Sequence, residues 1–219
     1  MSLSEELSKV YDIFHTTAPP ALTVPVRDAT SSIKAAFDPS KAIQPGHQFP
    51  SFSLDDANHH TVTSESLLSK GPLLITFYRG SWCPFCNLTL RAYQQHLQAF
   101  RKRGVQFVAI TPELPDTSIS SVEKQELEYP VLSDVGCKLA RQLGIVWAQP
   151  DTMRPIFDHL GVDWDKDYGN GASERLEVPI PATILVGKDS VVMETFIEAN
   201  YHERLDPEIA LSWLDKHQL

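Results

Sequence analysis

The chain has 219 residues and a net charge of −9, and 42% of its residues are hydrophobic while 21% are charged. This composition excludes a largely disordered chain, because such chains contain too little apolar surface to fold. The acidic balance argues against nonspecific binding to nucleic acid or to a membrane of anionic lipid.

The N-terminus lacks the features of a targeting signal. Glu5 and Glu6 stand where a secretory signal would be basic, and no stretch approaches the ~18 apolar residues needed to span a bilayer. The chain has three cysteines, too few for a disulfide framework. We therefore expect a soluble, cytoplasmic protein of a reducing compartment.

Residues 1–40 are predicted to form a helical extension ahead of a main domain at 41–219. Apolar residues recur there at steps of three and four, the pattern of an amphipathic helix: Leu3, Leu7, Val10, Tyr11 and Phe14. Pro19 and Pro20 are predicted to break this helix, and a second one is predicted from about Ala29 to Phe37. We expect the extension to pack on the domain or on the partner in a homodimer.

The rest of the chain alternates between predicted strands and helices. Apolar runs predict strands at 50–56, 73–79, 105–111 and 129–133, of which 73–79 has the continuous apolar character of a central strand. Helices are predicted at 84–103, 118–127 and 134–144, an irregular covering insertion at 147–178, and a hairpin at 182–198. Asp206 and Pro207 have the residue types that begin a helix. This order indicates an α/β fold, a sheet covered by helices.

The stretch YRGSWCPFCN, residues 78–87, holds two of the three cysteines. Cys83 lies where the strand ends and the helix begins, and unpaired N–H groups at a helix start favour a thiolate and lower its pKa. Cys86 lies one turn further along and is expected to be less exposed. The pair is predicted to be a redox-active dithiol in which Cys83 attacks and Cys86 resolves.

Two alternatives remain for this pair, a metal site and a structural pair of buried thiols. A metal site needs about four ligands, whereas Cys137 is the remaining thiol and the adjacent His59 and His60 lack a ligand spacing. We therefore predict no metal. Cys137 is predicted to be a small core residue, with a role as third redox partner as the alternative.

The motif WCPFC resembles the W-C-x-x-C active site of thioredoxin. The wider stretch from Gln44 to Cys86, together with VQFVAITPELPD, YPVLSDVGCKLARQLGI and PATILVGKDSVV, is similar to the peroxiredoxin family, also called the AhpC/TSA family. The resemblance covers residues 41–200. It implies a thioredoxin-like fold with a central mixed sheet, and reduction of peroxides by thiols without a bound cofactor. The reductant would be an external thiol such as thioredoxin or glutathione.

The resemblance also implies roles for individual residues. Cys83 aligns with the peroxidatic cysteine of peroxiredoxins and with the attacking cysteine of thioredoxin. Cys86 aligns only with the second cysteine of thioredoxin. Pro181 aligns with a cis-proline that faces the dithiol in thioredoxin. An ordinary trans proline before a strand is the alternative for Pro181. Trp82 is expected to shield the dithiol, and Trp147, Trp164 and Trp213 to be core or lid residues.

Three positions depart from the peroxiredoxin pattern. Gly80 stands where the family usually has Thr, Thr76 where it has Pro, and Pro181 where it has Arg. The family's Thr and Arg orient the peroxide and stabilise developing charge. Arg79 or Ser81 is predicted to substitute for them, the alternative being that Arg79 is a solvated residue at the strand end.

The leading hypothesis is therefore a peroxiredoxin-like peroxidase acting on hydrogen peroxide or organic hydroperoxides. A dithiol–disulfide oxidoreductase acting on protein or small-molecule disulfides is the second hypothesis. A non-catalytic or metal-binding module on the same fold is the third.

Overall fold

The computed structural model describes residues 2–118, 126–169 and 176–219. The helices of eight or more residues there are α1 (Leu3–Thr17), α2 (Pro20–Ala36), α4 (Pro84–Lys102) and α8 (Pro207–Lys216). Shorter helices are α3 (Ser64–Leu68), α5 (Lys138–Gln142), α6 (Arg154–His159) and α7 (Trp164–Tyr168). The strands are β1 (Ser53–Asp56), β2 (Thr61–Thr63), β3 (Leu73–Phe77), β4 (Gln106–Thr111), β5 (Val131–Ser133), β6 (Val146–Ala148), β7 (Glu177–Pro179), β8 (Ala182–Val186) and β9 (Val192–Ile197).

Seven strands form one mixed sheet in the order β2-β1-β5-β4-β3-β8-β9, and β6 and β7 form a separate pair. The central strand β3 pairs in parallel with β4 and antiparallel with β8, so that Ile75 lies opposite both Val108 and Ile184. All five residues of β3 are buried, as its continuous apolar run predicts. The predicted α/β fold with a central mixed sheet flanked by helices is confirmed.

Helix α4 is fixed to the sheet by an aromatic cluster. Tyr93 and Phe100 of α4 stack on Phe107 of β4, with ring centroids 4.6 and 6.1 Å away, and Tyr129 meets Phe107 edge-on. Aromatic pairs at these distances stabilise a core beyond the area that they bury. The cluster holds the helix that begins at the CxxC motif.

The N-terminal segment forms two long helices, and the second of them is longer than predicted. The second helix begins at Pro20, not near Ala29, because proline is tolerated at the first helical position. Pro25 lies inside α2 and removes one backbone hydrogen bond, which the burial of Val26 and Ile33 offsets. The domain boundary between residues 40 and 41 stays a prediction.

Helix α1 is packed onto the main body of the protein. Its first turn is closed by a capping box between Ser2 and Glu5, and the Leu3 N–H donates to the Asp206 carboxylate at 3.1 Å. Leu3 and Leu7 are buried, and α1 contacts α4. The predicted hairpin at 182–198 and the final helix with Asp206 as its N-cap are confirmed.

Two further predictions concern segments that the structure describes only in part. Most of the helix predicted at 118–127 lies outside the described residues. The predicted insertion at 147–178 contains α6, α7 and parts of β6 and β7, and residues 170–175 of it lie outside the described part. Among the described residues, no helix is both long and apolar enough to cross a membrane.

The packing of α1 can be tested by truncating Leu7, which is 2% exposed. We expect Leu7→Ala to lower the free energy of unfolding by about 2–4 kcal/mol, because it leaves a cavity between helices. The matched control is Leu160→Ala at a residue that is 44% exposed, where a loss below about 1 kcal/mol is expected. Equal urea midpoints for wild type and Leu7→Ala would show that α1 does not contribute to the cooperative fold.

Candidate active site

The two cysteines of the CxxC motif lie at the start of α4. Cys83 is the N-cap with extended backbone geometry, Pro84 occupies the first helical position, and Cys86 follows within the first turn. Both thiols are free and have no exposed area. The structure therefore holds a reduced dithiol, buried at a helix N-terminus.

Each sulfur has its own arginine. Arg79, two residues beyond β3, donates from Nη2 to Cys83 Sγ at 3.1 Å. Arg204, just before α8, donates from Nη2 to Cys86 Sγ at 3.6 Å, and its Nη1 donates to the backbone oxygens of Tyr201 and Glu203. Both arginines are buried, and a buried cation is costly unless it is paired. A thiolate on the dithiol supplies the opposite charge.

The two thiols differ in acidity. Burial raises the pKa of Cys83 well above that of a free thiol, and its hydrogen bond to Cys86 raises it further. Burial also raises the pKa of Cys86, but the hydrogen bond from Cys83 and the charges of Arg204 and Arg79 outweigh it and hold that pKa well below the ordinary value. The expectation that Cys83 carries the lowered pKa is wrong for this buried pair. Because the two thiols are hydrogen-bonded to each other, the first proton is lost by the pair, and the two sulfurs share the proton that remains.

Arg79 is fixed between two aromatic rings. Its guanidinium carbon lies 5.1 Å from the centroid of Trp82 and 5.0 Å from that of Tyr201. Burial alone would lower the pKa of Arg79, but the neighbouring charge of Cys83 and Cys86 raises it above its ordinary value. Arg79 is thus a buried, charged residue at the sulfur, and the alternative of a solvated strand-end residue does not hold.

Gly80 lies where a side chain has no room. A Cβ added there would come within 3.0 Å of the Tyr168 hydroxyl, Trp82 Nε1 and the Glu113 carboxylate. The Tyr168 hydroxyl donates to the Arg79 carbonyl oxygen at 2.9 Å and accepts from Trp82 Nε1 at 2.6 Å. The space that a Thr side chain would need is therefore occupied by a hydrogen-bonded network.

Ser81 faces a buried carboxylate rather than a cysteine. Its backbone N–H and its hydroxyl donate to Glu113 Oε1 at 2.9 and 2.8 Å. Burial raises the pKa of Glu113 to about 7, although the two hydrogen bonds from Ser81 act in the opposite direction. Ser81 and Glu113 together tie the loop before Cys83 to the end of β4.

Trp82 connects the site to the predicted insertion. Its ring meets Phe157 of α6 edge-on at 5.1 Å, and Phe157 in turn meets Trp164 of α7 at 5.9 Å. Arg154 lies over the Trp164 ring at 4.3 Å. Together with the bond from Trp82 to Tyr168, these contacts place α6 and α7 over the loop that leads to Cys83.

A cavity of about 420 Å³ opens beside this loop. Its lining includes Arg79, which donates to Cys83, together with Trp82, Pro84, Phe85 and Tyr201. Arg79 therefore connects the cavity to Cys83, which is itself fully buried.

Pro181 does not have the predicted conformation. Among the described residues no peptide bond is cis, so the bond before Pro181 is trans. Pro181 directly precedes β8, and its carbonyl oxygen accepts from the Glu198 N–H at 3.1 Å. The alternative, an ordinary trans proline before a strand, describes what the structure shows.

The remaining candidate ligands are dispersed. Cys137 is the N-cap of α5 and donates from its thiol to the Glu177 carbonyl oxygen at 3.5 Å, and burial raises its pKa. His59 pairs with Asp116 at 2.8 Å on the surface. Within the described ranges, no three residues of the types His, Cys, Asp and Glu are grouped as a metal site would require.

Sequence reasoning missed four residues of the site: Glu113, Tyr168, Tyr201 and Arg204. Glu113 has a usable signal, since it follows β4 as Arg79 follows β3, and the carboxyl ends of neighbouring parallel strands meet at one edge. The other three come from segments far away along the chain and have no local pattern that marks them.

The AhpC/TSA family model matches residues 45–195, more than half of the chain. The chain belongs to the AhpC/TSA family. The peroxiredoxin Bcp of Escherichia coli K12 is 24% identical over 175 residues, which cover 80% of this chain and 97% of that protein.

Two solved structures show the same fold. Peroxidoxin BcpB of Mycobacterium tuberculosis has a TM-score of 0.61 at 18% identity, covering 80% of this chain and 97% of its own. The bacterioferritin comigratory protein of Xanthomonas campestris, described with regard to its alkyl peroxide reduction activity, has a TM-score of 0.58 at 16% identity, covering 81% and 98%. The resemblance drawn from the sequence is confirmed, and the family makes this chain a peroxiredoxin-like thiol peroxidase. The disulfide oxidoreductase and the non-catalytic module are not favoured.

The crowding at Gly80 predicts that restoring a side chain there is harmful. We expect Gly80→Ala to lower the free energy of unfolding by about 1–3 kcal/mol, because the added methyl group overlaps Tyr168, Trp82 and Glu113. The double variant with Tyr168→Phe is the control, since it removes the nearest atom. Urea unfolding should give a smaller cost of Gly80→Ala in the Tyr168→Phe background. Additive costs would contradict the assigned clash.

The raised pKa of Glu113 predicts a pH-dependent stability. Between pH 4.5 and about 7 the folded protein keeps a proton on Glu113 that the unfolded chain loses, so stability falls as pH rises through this window. We expect wild type to lose on the order of 3 kcal/mol there relative to Glu113→Gln. Urea unfolding at both ends of the window measures the difference. Glu65→Gln, at an exposed carboxylate, is the control, and a pH-independent gap between wild type and Glu113→Gln would contradict the prediction.

Proposed function

We propose that this peroxidase reduces hydrogen peroxide and organic hydroperoxides through Cys83 and Cys86. The observation that carries the proposal is the Arg79 guanidinium, held 3.1 Å from Cys83 Sγ by two aromatic rings beside an open cavity. A fixed cation at the attacking sulfur can also stabilise the negative charge that develops on the leaving oxygen.

In the first step, the proton shared by the pair moves to Cys86 and leaves a thiolate on Cys83. This thiolate attacks the terminal peroxide oxygen, the O–O bond breaks, and Cys83 becomes a sulfenic acid. The electron pair of the broken bond leaves with the other oxygen as an alkoxide or hydroxide, which takes up a proton to become alcohol or water. Arg79 is the group placed to orient the peroxide during this displacement.

In the second step, Cys86 attacks the sulfenic sulfur of Cys83 and expels hydroxide, which is protonated to water. Arg204 favours the thiolate form of Cys86 that this attack needs. The pair has then lost two electrons and two protons in total, and peroxide has become alcohol and water. Because both cysteines lie in the first turn of α4, the disulfide closes without separating helix α4 from the sheet.

Return to the dithiol requires an external thiol, and a thioredoxin- or glutathione-type reductant is the proposed partner. The oxidised enzyme would contain a disulfide between Cys83 and Cys86, which the external thiol reduces by thiol–disulfide exchange. The site residues proposed to support the chemistry are Arg79, Trp82 and Ser81, with Gly80 providing space. A cytoplasmic location and a homodimer stay predictions.

Intact mass after one equivalent of peroxide tests the two steps. We expect wild type to lose about 2 Da as the disulfide forms, and Cys86→Ser to gain about 16 Da as a trapped sulfenic acid. Cys83→Ser should show neither change and should consume no peroxide in an NADPH-coupled assay with thioredoxin and its reductase.

Cys137→Ser is the matched control, because that buried thiol lies at the start of α5 rather than at the site. It should retain the loss of about 2 Da seen in wild type. Unchanged peroxide consumption by Cys83→Ser would overturn the nucleophile assignment. A disulfide that includes Cys137 would overturn the role of Cys86.

A further inference from the structure

The cavity beside Cys83 is walled mainly by helices outside the core of the fold. Its sides come from α1, α2 and α6, where apolar side chains line it: Val10, Phe14, Leu22, Val26 and Ile156. Its volume of about 420 Å³ lies in the range of small-molecule sites. Helices α1 and α2 precede residues 45–195, so the part of the wall that they form lies outside the region that matches the family.

The polarity of the cavity is uneven. Arg79 is a charged lining residue that contacts Cys83, and Thr17 and His159 are polar lining residues. Ile13 and Leu160 also line it although they are 51% and 44% exposed, so the cavity has an apolar opening. Such an arrangement fits a ligand with one polar end and an apolar body.

The extension is also tied directly to the site. The ring of Tyr201 packs against Arg79, and the Tyr201 hydroxyl is hydrogen-bonded to Nε2 of His15 in α1 at 3.3 Å. The ring centroid of Tyr11 in α1 lies 6.3 Å from that of Tyr201. The wall formed by α1 therefore has a fixed position relative to Arg79 and Cys83.

Building on the peroxidase function proposed above, we propose that the cavity binds the apolar body of an organic hydroperoxide, with the hydroperoxide group at Arg79 and Cys83. The extension then selects bulky apolar hydroperoxides over hydrogen peroxide. Hydrogen peroxide has no apolar surface to bury against these walls, whereas an aryl or alkyl group gains the free energy of leaving water. Binding energy from this remote part of the substrate raises kcat/KM. The reaction is the displacement already described, and the apolar body leaves as its alcohol.

A pocket-filling variant tests the proposal. Leu22→Trp places an indole in the cavity from α2, and Val24→Trp makes the same kind of change on the same helix at a residue that is 43% exposed and does not line the cavity. The measurement is the ratio of kcat/KM for cumene hydroperoxide to kcat/KM for hydrogen peroxide. We expect wild type to prefer cumene hydroperoxide, Leu22→Trp to lower the ratio about tenfold, and Val24→Trp to keep it.

Binding of the product alcohol provides a measurement that needs no turnover. Ligand-observed NMR should show cumyl alcohol bound to wild type and to Val24→Trp, and displaced from Leu22→Trp. Wild type that binds cumyl alcohol but reduces neither peroxide would refute the peroxidase function and keep the apolar ligand site. If wild type reduces both peroxides but the ratio of kcat/KM is the same in all three proteins, the ligand site alone is refuted. The same holds if wild type reduces both peroxides but does not bind cumyl alcohol.

The cavity could instead be covered by a second copy of the chain. Size-exclusion chromatography of the same three proteins distinguishes this arrangement. A dimer that Leu22→Trp dissociates, without any change in the peroxide ratio, would overturn the proposal in favour of a contact between copies.

Discussion

Two buried guanidinium groups and two buried sulfurs form the interaction on which the site depends. Arg79 and Arg204 come from distant parts of the chain and meet Cys83 and Cys86 in the interior of the protein. Removing a cation from water costs several kcal/mol unless an opposite charge accompanies it. The dithiol supplies that charge once it has lost a proton. The same contact therefore stabilises the packing around the loop and prepares one sulfur for reaction.

This interaction explains why the expected order of acidities did not hold. A helix N-terminus favours an anion at Cys83, but Cys83 is also desolvated and donates its hydrogen bond to Cys86. Cys86 receives that hydrogen bond and faces both arginines, which lower its pKa. Because the two thiols share a proton, a shift across one hydrogen bond is enough to move the charge to Cys83.

The sequence predicted the elements whose patterns are local. Strand β3 is a continuous apolar run, α4 begins at Pro84, and the last helix begins at Asp206, and each has a recognisable signal. The predicted start of α2 is wrong because that prediction treats Pro20 as a residue that ends a helix, although proline is favoured at the first helical position. The Arg204 contact with Cys86 joins residues 118 positions apart, and the Trp82 contact with Tyr168 joins residues 86 apart. Such contacts depend on the packed fold, which no local pattern encodes.

Two of the three predicted departures from the peroxiredoxin pattern, Gly80 and Pro181, concern the same site. With Pro181 in place of the usual Arg, the positive charge at the sulfurs is supplied by Arg79 from the end of β3 and by Arg204 from the segment before α8. Arg79 reaches Cys83 only because Gly80 leaves room for Tyr168 to bond the Arg79 carbonyl oxygen and for Trp82 to turn toward Tyr168. A Thr at position 80 would displace that network and with it the ring that holds Arg79. Gly80 and Pro181 are therefore better understood as parts of a rearranged site than as separate losses from a standard one.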